Sequence, residues 1–468
     1  MFFGTFGALP NFLTLEASAI IGRAVGLLLF AIAWTSLGRR LTGSRTSAAL
    51  ALSLFCLYAL AVYRVPWLSL SGEWVVGGIE GKLPAWAFAL FAIRWAIDRR
   101  WLAFGATVGL ATSFHPVVGA WTAICVVIAE CFSSLRGDPP WRHGFRTLAA
   151  GAGISFLLAA PGLLGAISFL QRETAVPDHL AGEVRDVSHL QARGDYVQVF
   201  GRLKHHLDPM EFSTKTWILY GGFVVAWLGF LAIRSRRKNG DGRNQDDAAH
   251  RVHLILGSAI FIAIVALLVG YGPRPAMRMT GFEWRAKLLK LYPFRIADTF
   301  LPMVLCCQIA ALLVGKDGIR QKGGLVAAAL VGGIVIAASA ASGMQSATDR
   351  RVDWLEACDW IQANTPATTV CVTPRESADF KWFAERAEFV NYKDCPQDSS
   401  GIVEWNWRLF AMRSWRQKSI ADDDAYSDED LRNLAELSGA SYLVTSRIGP
   451  ILPEPIYSNR TYRIYKLR

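Results

Sequence analysis

Residues 71–119 read SGEWVVGGIEGKLPAWAFALFAIRWAIDRRWLAFGATVGLATSFHPVVG, and this stretch decides the fold because two apolar segments are joined by a short charged turn. The segments cover residues 84–97 and 101–114, and the turn is Asp-Arg-Arg at 98–100. Each segment is about 14 residues long, or roughly 21 Å as a helix, which is shorter than the ~30 Å hydrocarbon core of a bilayer. Both helices are therefore expected to extend into their flanks in order to cross a membrane.

Ionisable residues stand at the open end of this hairpin. Glu80 and Lys82 precede the first helix, and His115 follows the second. A hairpin brings both flanks to one membrane face, where ionisable residues are functional candidates by default. A local ion pair at a helix start explains Glu80 and Lys82 equally well, and a polar helix end explains His115 before Pro116.

The composition extends the membrane interpretation to most of the chain. Of its 468 residues, 52% are hydrophobic and 19% are charged, and the apolar residues form long runs, which is typical of a polytopic membrane protein. The net charge of +11 would also suit a nucleic-acid-binding protein. However, Lys and Arg are concentrated in short loops between apolar runs, and no nucleic-acid-binding motif occurs. We therefore predict contact with membrane lipids and no nucleic-acid partner.

Ten apolar runs predict a mainly α fold, a transmembrane helical bundle within residues 1–344. The predicted helices cover residues 17–37, 47–63, 84–97, 101–115, 117–134, 147–170, 215–233, 252–270, 299–315 and 323–342. Basic residues are concentrated in alternate loops, which the positive-inside rule places in the cytoplasm. The outer face then receives loops 171–214 and 271–298 and the tail, in a multi-pass protein of the inner membrane.

The outer loop 271–298 carries more positive charge than membrane orientation requires. Four of its cations are candidates for binding an anionic group such as a lipid phosphate: Arg278, Arg285, Lys287 and Arg295. Arginine offers a planar fork for such a group, although an interfacial helix beside anionic headgroups explains the loop equally well. In loop 171–214, His205, His206 and Asp208 do not share a helix face, so we predict a solvated loop and no metal site there.

The tail, residues 345–468, is predicted to form a small soluble α/β domain outside the membrane. Its pattern predicts helices at 354–363, 380–387 and 427–437 and strands at 369–373, 440–445 and 462–466. Trp405 and Arg408 belong to a tryptophan-rich segment that could stack a sugar, although aromatic core packing is the commoner explanation. The tail also contains three cysteines, which allow one disulfide or three unpaired buried thiols.

Several motifs resemble the GT-C superfamily of membrane glycosyltransferases, which take a sugar from a polyprenyl-phosphate donor at the outer membrane face. They are GIEGK at 78–82, ATSFHPVVGAW at 111–121 and YPFRIADTFLP at 292–302. The chain is also similar to an uncharacterised bacterial family of membrane proteins with a soluble C-terminal domain. That similarity includes the tail motifs WLEACDWIQANTP at 354–366, FKWFAER at 380–386, KDCPQD at 393–398 and EWNWR at 404–408.

The GT-C resemblance implies a transferase that needs a base to activate the acceptor hydroxyl and cations to stabilise the leaving phosphate. Glu80 or His115 would be the base, with Glu73 as a further acidic candidate. The implied substrate-binding residues are Lys82, Arg278, Arg285, Lys287, Arg295, Asp298, Trp405 and Arg408. No cofactor is certain, but the resemblance allows a divalent metal.

The chain departs from the GT-C pattern at its start. GT-C enzymes carry an acidic residue in the first outer loop, after a helix that begins in the cytoplasm, and this residue acts as a base or helps to hold a metal. The present chain begins at what would be the second helix. Either the base is lost with a missing segment, or Glu73 or Glu80 replaces it, or the protein is a non-catalytic membrane scaffold or assembly protein whose soluble tail binds a partner.

Overall fold

The chain forms two compact units. The computed structural model describes residues 6–72, 75, 80–136, 144–170, 176, 182, 185–236, 243–314, 318–345, 349–374, 379–423, 425–446 and 451–467. The membrane unit consists of Met1–Gln171 and Gln198–Ala338, and the soluble unit of Arg172–Val197 and Ser339–Arg468. The predicted fold class is confirmed, because a mainly helical membrane part is followed by a small α/β region with a five-stranded sheet.

Within the described residues, thirteen α-helices lie before residue 346. They are α1 (Leu15–Thr42), α2 (Arg45–Arg64), α3 (Lys82–Ile97), α4 (Trp101–Phe114), α5 (Pro116–Leu135), α6 (Phe145–Leu170), α7 (Val187–Tyr196), α8 (Lys204–Leu207), α9 (Thr214–Arg236), α10 (Arg243–Gly270), α11 (Phe282–Leu289), α12 (Arg295–Val314) and α13 (Gly318–Gln345). Eight of them are long and apolar enough to cross a membrane, namely α1, α2, α5, α6, α9, α10, α12 and α13.

The hairpin of residues 84–114 forms α3 and α4, which remain short. They have 16 and 14 residues, so the expected extension into the flanks is wrong apart from two residues at the start of α3. Most of α3 is buried, and Trp86 and Leu90 are 0% exposed. Because α3 is surrounded by protein instead of lipid, it does not need the length of a lipid-exposed span.

Helices α4 and α6 approach each other through glycine. A Cβ added to Gly105 would lie 1.9 Å from the carbonyl oxygen of Gly151, and a Cβ on Gly151 would lie 2.3 Å from the carbonyl oxygen of Trp101. Small residues allow the backbones of membrane helices to come into contact. Any larger residue at either glycine would force these two helices apart.

Contacts between helix ends agree with the predicted alternation of the loops. Arg40 and Arg94 both form ion pairs with Asp98. Arg251 donates a hydrogen bond to the carbonyl oxygen of Ile97. Three segments that the positive-inside rule groups on one side of the membrane are therefore together in the structure; that this side is cytoplasmic stays a prediction.

The soluble unit is built on a five-stranded mixed sheet. The strands are β1 (Val370–Val372), β2 (Ala387–Glu388), β3 (Tyr442–Thr445), β4 (Tyr457–Ser458) and β5 (Arg463–Lys466), in the order β2-β1-β3-β5-β4. Strand β1 pairs in parallel with β2 and β3, whereas β5 is antiparallel to β3 and β4. The accompanying helices are α14 (Asp349–Asn364), α15 (Phe380–Phe383), α16 (Ser399–Asp423) and α17 (Asp428–Ser438).

Helices cover both faces of this sheet. Leu443 packs in a cluster with α16 and α17, whereas its neighbour Val444 packs with Ile361 of α14. Successive strand residues point to opposite faces, so α14 covers one face and α16 and α17 cover the other. The capping pattern predicted for α17 is confirmed, because the side chains of Ser427 and Asp430 each accept a hydrogen bond from the other residue's backbone N–H.

Two predictions about local structure are wrong. The helix predicted at 380–387 ends at Phe383, and β2 begins at Ala387 after Glu385 adopts a left-handed backbone with φ of 50°. Part of the loop predicted to be solvated forms α7, whose Leu190 packs against Val403 of α16. That loop and the tail therefore fold together, which requires both to lie on the same side of the membrane.

The cysteines of the tail are buried. Cys358, Cys371 and Cys395 form no disulfide in the described structure. Cys358 and Cys371 belong to one hydrophobic cluster, and Cys395 belongs to another. Burial raises the pKa of both Cys358 and Cys371 to about 12, so these thiols are expected to be unreactive.

Candidate functional site

Two residues that the sequence singled out, His115 and Arg295, are in contact. His115 links α4 to α5 with an extended backbone, and Pro116 occupies the first position of α5. Arg295 begins α12, and its Nη1 lies 3.2 Å from Nε2 of His115. The other ring nitrogen, Nδ1, lies 3.4 Å from the backbone N–H of Val118. Each imidazole nitrogen therefore faces an N–H group, and the 3.2 Å contact with the guanidinium is the closer one.

Arg295 is enclosed by protein. The residue is 7% exposed, and its guanidinium lies 4.1 Å from the centre of the Tyr292 ring. Such a position favours a cation, because the face of an aromatic ring attracts positive charge. The ring and the imidazole together orient the guanidinium at the start of α12.

Asp298, a predicted substrate-binding residue, is engaged by the protein backbone. Its carboxylate accepts hydrogen bonds from the backbone N–H of Leu70 at 2.6 Å and of Ser71 at 3.1 Å, and from the Ser71 hydroxyl at 3.0 Å. Asp298 is 2% exposed. The geometry indicates that this residue holds the segment after α2 against α12.

Glu80 forms a local ion pair at the start of the hairpin. Glu80 is exposed, and its carboxylate lies 3.8 Å from Nζ of the buried Lys82. This is the local ion pair that the sequence allowed as an alternative. Glu73 lies outside the described residues.

The cations of loop 271–298 differ in what they contact. Arg285 donates two hydrogen bonds to carbonyl oxygens at the end of α10, those of Val269 at 2.9 Å and Tyr271 at 3.0 Å. It therefore caps that helix. Arg278 and Lys287 are exposed, and their predicted role in binding phosphate remains a prediction.

The membrane unit also contains a buried ion pair that was not predicted. Arg274 donates to both carboxylate oxygens of Asp208, and Asp208 is 2% exposed. Asp208 therefore serves a structural pair, and His206 makes a close Nδ1 contact with the carbonyl oxygen of Ser71. Among the described residues no three His, Cys, Asp or Glu side chains come close enough to hold a metal ion, so no chemistry is assigned to a metal here.

The soluble unit contains a polar cavity of about 170 Å³. The residues that line it are Lys381, Glu388, Phe389, Val390, Asn391, Asp394, Pro396, Gly401, Glu404, Trp405 and Arg408. Trp405 and Arg408, which the sequence singled out as substrate-binding candidates and which belong to the EWNWR motif, are thus brought together with residues of two other tail motifs, FKWFAER and KDCPQD. The tryptophan itself is 6% exposed, and its indole Nε1 donates to the carbonyl oxygen of Asn391 at 2.8 Å.

Glu388 is the cavity residue that sequence reasoning missed. Its Oε2 accepts hydrogen bonds from the Thr373 hydroxyl at 2.7 Å and from Nδ2 of Asn391 at 3.4 Å. Its Oε1 is buried and has no hydrogen-bond partner within the part of the chain that the structure describes. Burial raises the pKa of this carboxyl, against the opposing effects of the hydrogen bonds from Thr373 and Asn391. A raised pKa and an unsatisfied buried oxygen are features of functional carboxyl groups.

Replacing Glu388 with glutamine is expected to change the pH dependence of stability. The folded protein binds the Glu388 proton more tightly than the unfolded chain, because burial raises the folded pKa above 4.5. The protonated carboxyl therefore stabilises the folded protein at low pH. This stabilisation is lost as the pH rises from the pKa of the unfolded chain through the higher pKa of the folded protein. Glutamine does not ionise, so Glu388→Gln should gain stability relative to wild type as the pH rises above about 4.5, and the gain should level off above the raised folded pKa.

Hydrogen exchange of the sheet strands measures this difference. The matched control is Glu436→Gln, which replaces an exposed carboxyl of α17 and should follow wild type at every pH. Parallel pH profiles for wild type and Glu388→Gln would contradict the assignment.

A comparison with protein families links the cavity to a recognised domain. A family model described as "Domain of unknown function (DUF6798)" matches residues 352–412. The match includes all four tail motifs and every residue that lines the cavity. No curated protein is significantly similar to the chain. The chain is thus a multi-pass membrane protein that carries a domain of unknown function in its C-terminal part.

Proposed function

We propose that this multi-pass membrane protein transfers a sugar from a polyprenyl-phosphate donor at the outer membrane face, as the GT-C resemblance implies. The observation that supports the proposal is the contact between His115 and Arg295. It joins a residue able to accept a proton to a residue able to bind a phosphate, and the two stand at the ends of different helices. The proposal places the soluble domain, residues 345–468, on the same outer face.

The proposed reaction assigns one task to each residue. The bond between the anomeric carbon and the donor phosphate oxygen breaks, and the phosphate leaves with the electron pair. A bond forms between that carbon and the acceptor hydroxyl oxygen, whose proton passes to Nε2 of His115. Arg295 stabilises the negative charge that develops on the phosphate.

The observed contact sets a condition on this mechanism. Nε2 of His115 faces the guanidinium of Arg295, so that nitrogen must be released before it can accept a proton, and the ring must carry its own proton on Nδ1 instead of accepting there from Val118. A donor phosphate would draw the guanidinium away, since a charge-assisted hydrogen bond to phosphate is stronger than one to a neutral ring nitrogen. Binding of the donor would then free the base.

Other residues support the proposed centre. Asp298 holds Leu70 and Ser71, from which the chain continues toward Glu73 and Glu80. Glu80 is the alternative base, because it is exposed and its ion-pair partner Lys82 lies 3.8 Å away.

Donor binding tests the proposal without knowledge of the sugar. The exposed cations Arg278 and Lys287 are proposed to bind the donor phosphate together with Arg295 and Lys82. Radiolabelled polyprenyl phosphate should bind to the full-length protein in nanodiscs, and Arg278→Gln should weaken binding about tenfold, the scale of one charge-assisted contact. Binding would be measured by filter retention over a range of lipid concentrations.

The matched control removes a cation that the positive-inside rule places on the opposite, cytoplasmic face. Arg39 is exposed in the last turn of α1, and Arg39→Gln should bind the lipid as wild type does. Equal weakening by both substitutions would show only general charge attraction. A wild-type protein that fails to retain the lipid would favour the scaffold alternative.

A further inference from the structure

The polar cavity of the soluble unit has an unsatisfied acceptor in its wall. Glu388 is 9% exposed and lines the cavity, and its buried Oε1 has no hydrogen-bond partner among the described residues. A buried polar atom without a partner costs free energy in either protonation state. An ionised Oε1 needs a donor, whereas a protonated Oε1 needs an acceptor. A group that can serve as either would satisfy the carboxyl in both states.

The remaining charges of the wall are paired with each other. Lys381 binds Asp394 at 2.8 Å, and Arg408 forms an ion pair with Glu404 one helical turn away. These pairs leave no strong excess of one sign of charge beside Glu388. The cavity therefore offers fixed hydrogen-bond donors and acceptors together, which favours a neutral polar ligand over a multiply charged one.

The wall is held in place before any ligand binds. Residues 389–391 are tied to α16 by two hydrogen bonds, from Arg408 to the carbonyl oxygen of Phe389 at 2.9 Å and from Trp405 to that of Asn391 at 2.8 Å. The Asn391 side chain also accepts from the backbone N–H of Lys393 at 2.8 Å. Because these contacts exist in the free protein, less ordering is needed on binding.

We propose that this cavity is a binding site for a small neutral polyhydroxylated molecule, of the size of one sugar ring, with Glu388 as its central contact. A hydroxyl both donates and accepts, so one that reaches the buried Oε1 through a small shift of the wall satisfies it in either protonation state. A volume of about 170 Å³ is several times the ~30 Å³ share of one water molecule, which gives room for a small molecule. The site does not depend on the proposed transferase activity, since all of its residues belong to the soluble unit.

The test uses full-length protein in a detergent that has no sugar headgroup, so that the detergent does not compete. The probes are the methyl glycosides of glucose, galactose, mannose and N-acetylglucosamine at millimolar concentration, and saturation-transfer NMR measures their dissociation constants. We expect at least one probe to bind wild type. Glu388→Met, which removes the hydrogen bonds at similar volume, should weaken its binding at least tenfold. Glu388→Gln, which keeps a donor and an acceptor, should stay within about threefold of wild type.

A matched variant and a second measurement keep the test decisive. Glu436→Met replaces an exposed glutamate outside the cavity and should bind the probe as wild type does. If Glu388→Met does not fold, hydrogen exchange of wild type with and without the probe locates the site instead, and protection should be confined to residues 380–408. Failure of every probe to bind, unchanged binding by folded Glu388→Met, or protection elsewhere would overturn the proposal and leave a cavity that holds water only.

Discussion

Replacement of Asp298 by alanine is expected to lower the free energy of unfolding of the membrane unit by about 3 kcal/mol or more. Its carboxylate accepts from two backbone N–H groups and one hydroxyl, and a buried donor left without a partner costs ~1–3 kcal/mol. Leu70 and Ser71 are themselves buried, so water cannot readily replace the carboxylate. Unfolding in mixed micelles, followed by circular dichroism, measures the loss.

Two further variants separate this structural role from the predicted substrate contact. Asp298→Asn keeps one acceptor oxygen and should lose less stability than alanine. Asp247→Ala removes an exposed carboxylate near the start of α10 and should cost below about 1 kcal/mol. If Asp298→Ala unfolds as wild type does but binds polyprenyl phosphate poorly, Asp298 is a substrate residue as the sequence predicted.

The role of Asp298 shows where sequence reasoning ends for the membrane unit. Helix α12 was predicted from its apolar run, and Asp298 was predicted to bind substrate because the GT-C resemblance includes the motif YPFRIADTFLP. Its partner Ser71 lies 227 positions away, and no periodic pattern connects them. The contact between His115 and Arg295 spans 180 positions. The GT-C resemblance assigned His115 and Arg295 to one site, because it supplied information that the spacing of the residues does not carry.

The soluble unit shows a second limit. Residues 380–387 were predicted to be a helix because Phe380 and Phe383 have helical spacing, but the chain turns at Glu385 and enters β2. Glu388 was consequently overlooked, since its burial depends on the pairing of β2 with β1. Helix α16 was not predicted, because its tryptophan-rich segment was interpreted as a sugar-stacking face, a cover for the membrane cavity or a packed aromatic core. Strands of two or three residues depend on their neighbours more than on their own pattern.

Segment α7 adds a contact that no local pattern predicts. Its sequence is polar enough to suit a solvated loop, but Leu190 packs against Val403 and makes the segment part of the soluble unit. Gly194 supports this packing, because an added Cβ would lie 2.7 Å from the Ser399 side chain. A loop between membrane helices thus completes a domain formed mostly by the tail. This connection supports the predicted alternation of the loops more strongly than charge alone.

Sugar transfer is expected to fall by about 10²- to 10⁴-fold in His115→Ala, the range for loss of a general base. The prediction rests on the proposed function, in which Nε2 of His115 accepts the proton of the acceptor hydroxyl. His115 also caps α5 through a 3.4 Å contact with Val118, so His115→Asn is needed as a variant that preserves a cap acceptor but cannot act as a base. Transfer from sugar-labelled polyprenyl-phosphate donors in proteoliposomes measures both variants.

The comparison with Glu80 identifies the base. If His115 accepts the proton, His115→Asn should be as inactive as His115→Ala, while Glu80→Gln should keep most of the activity because it breaks only a 3.8 Å ion pair with Lys82. The opposite result, with transfer lost in Glu80→Gln and kept in both histidine variants, would assign the base to Glu80. Arg39→Gln, which changes a cation predicted on the cytoplasmic face, should transfer sugar as wild type does. Activity that survives all of these substitutions would remove both residues from the mechanism and leave Arg295 and His115 as a structural contact.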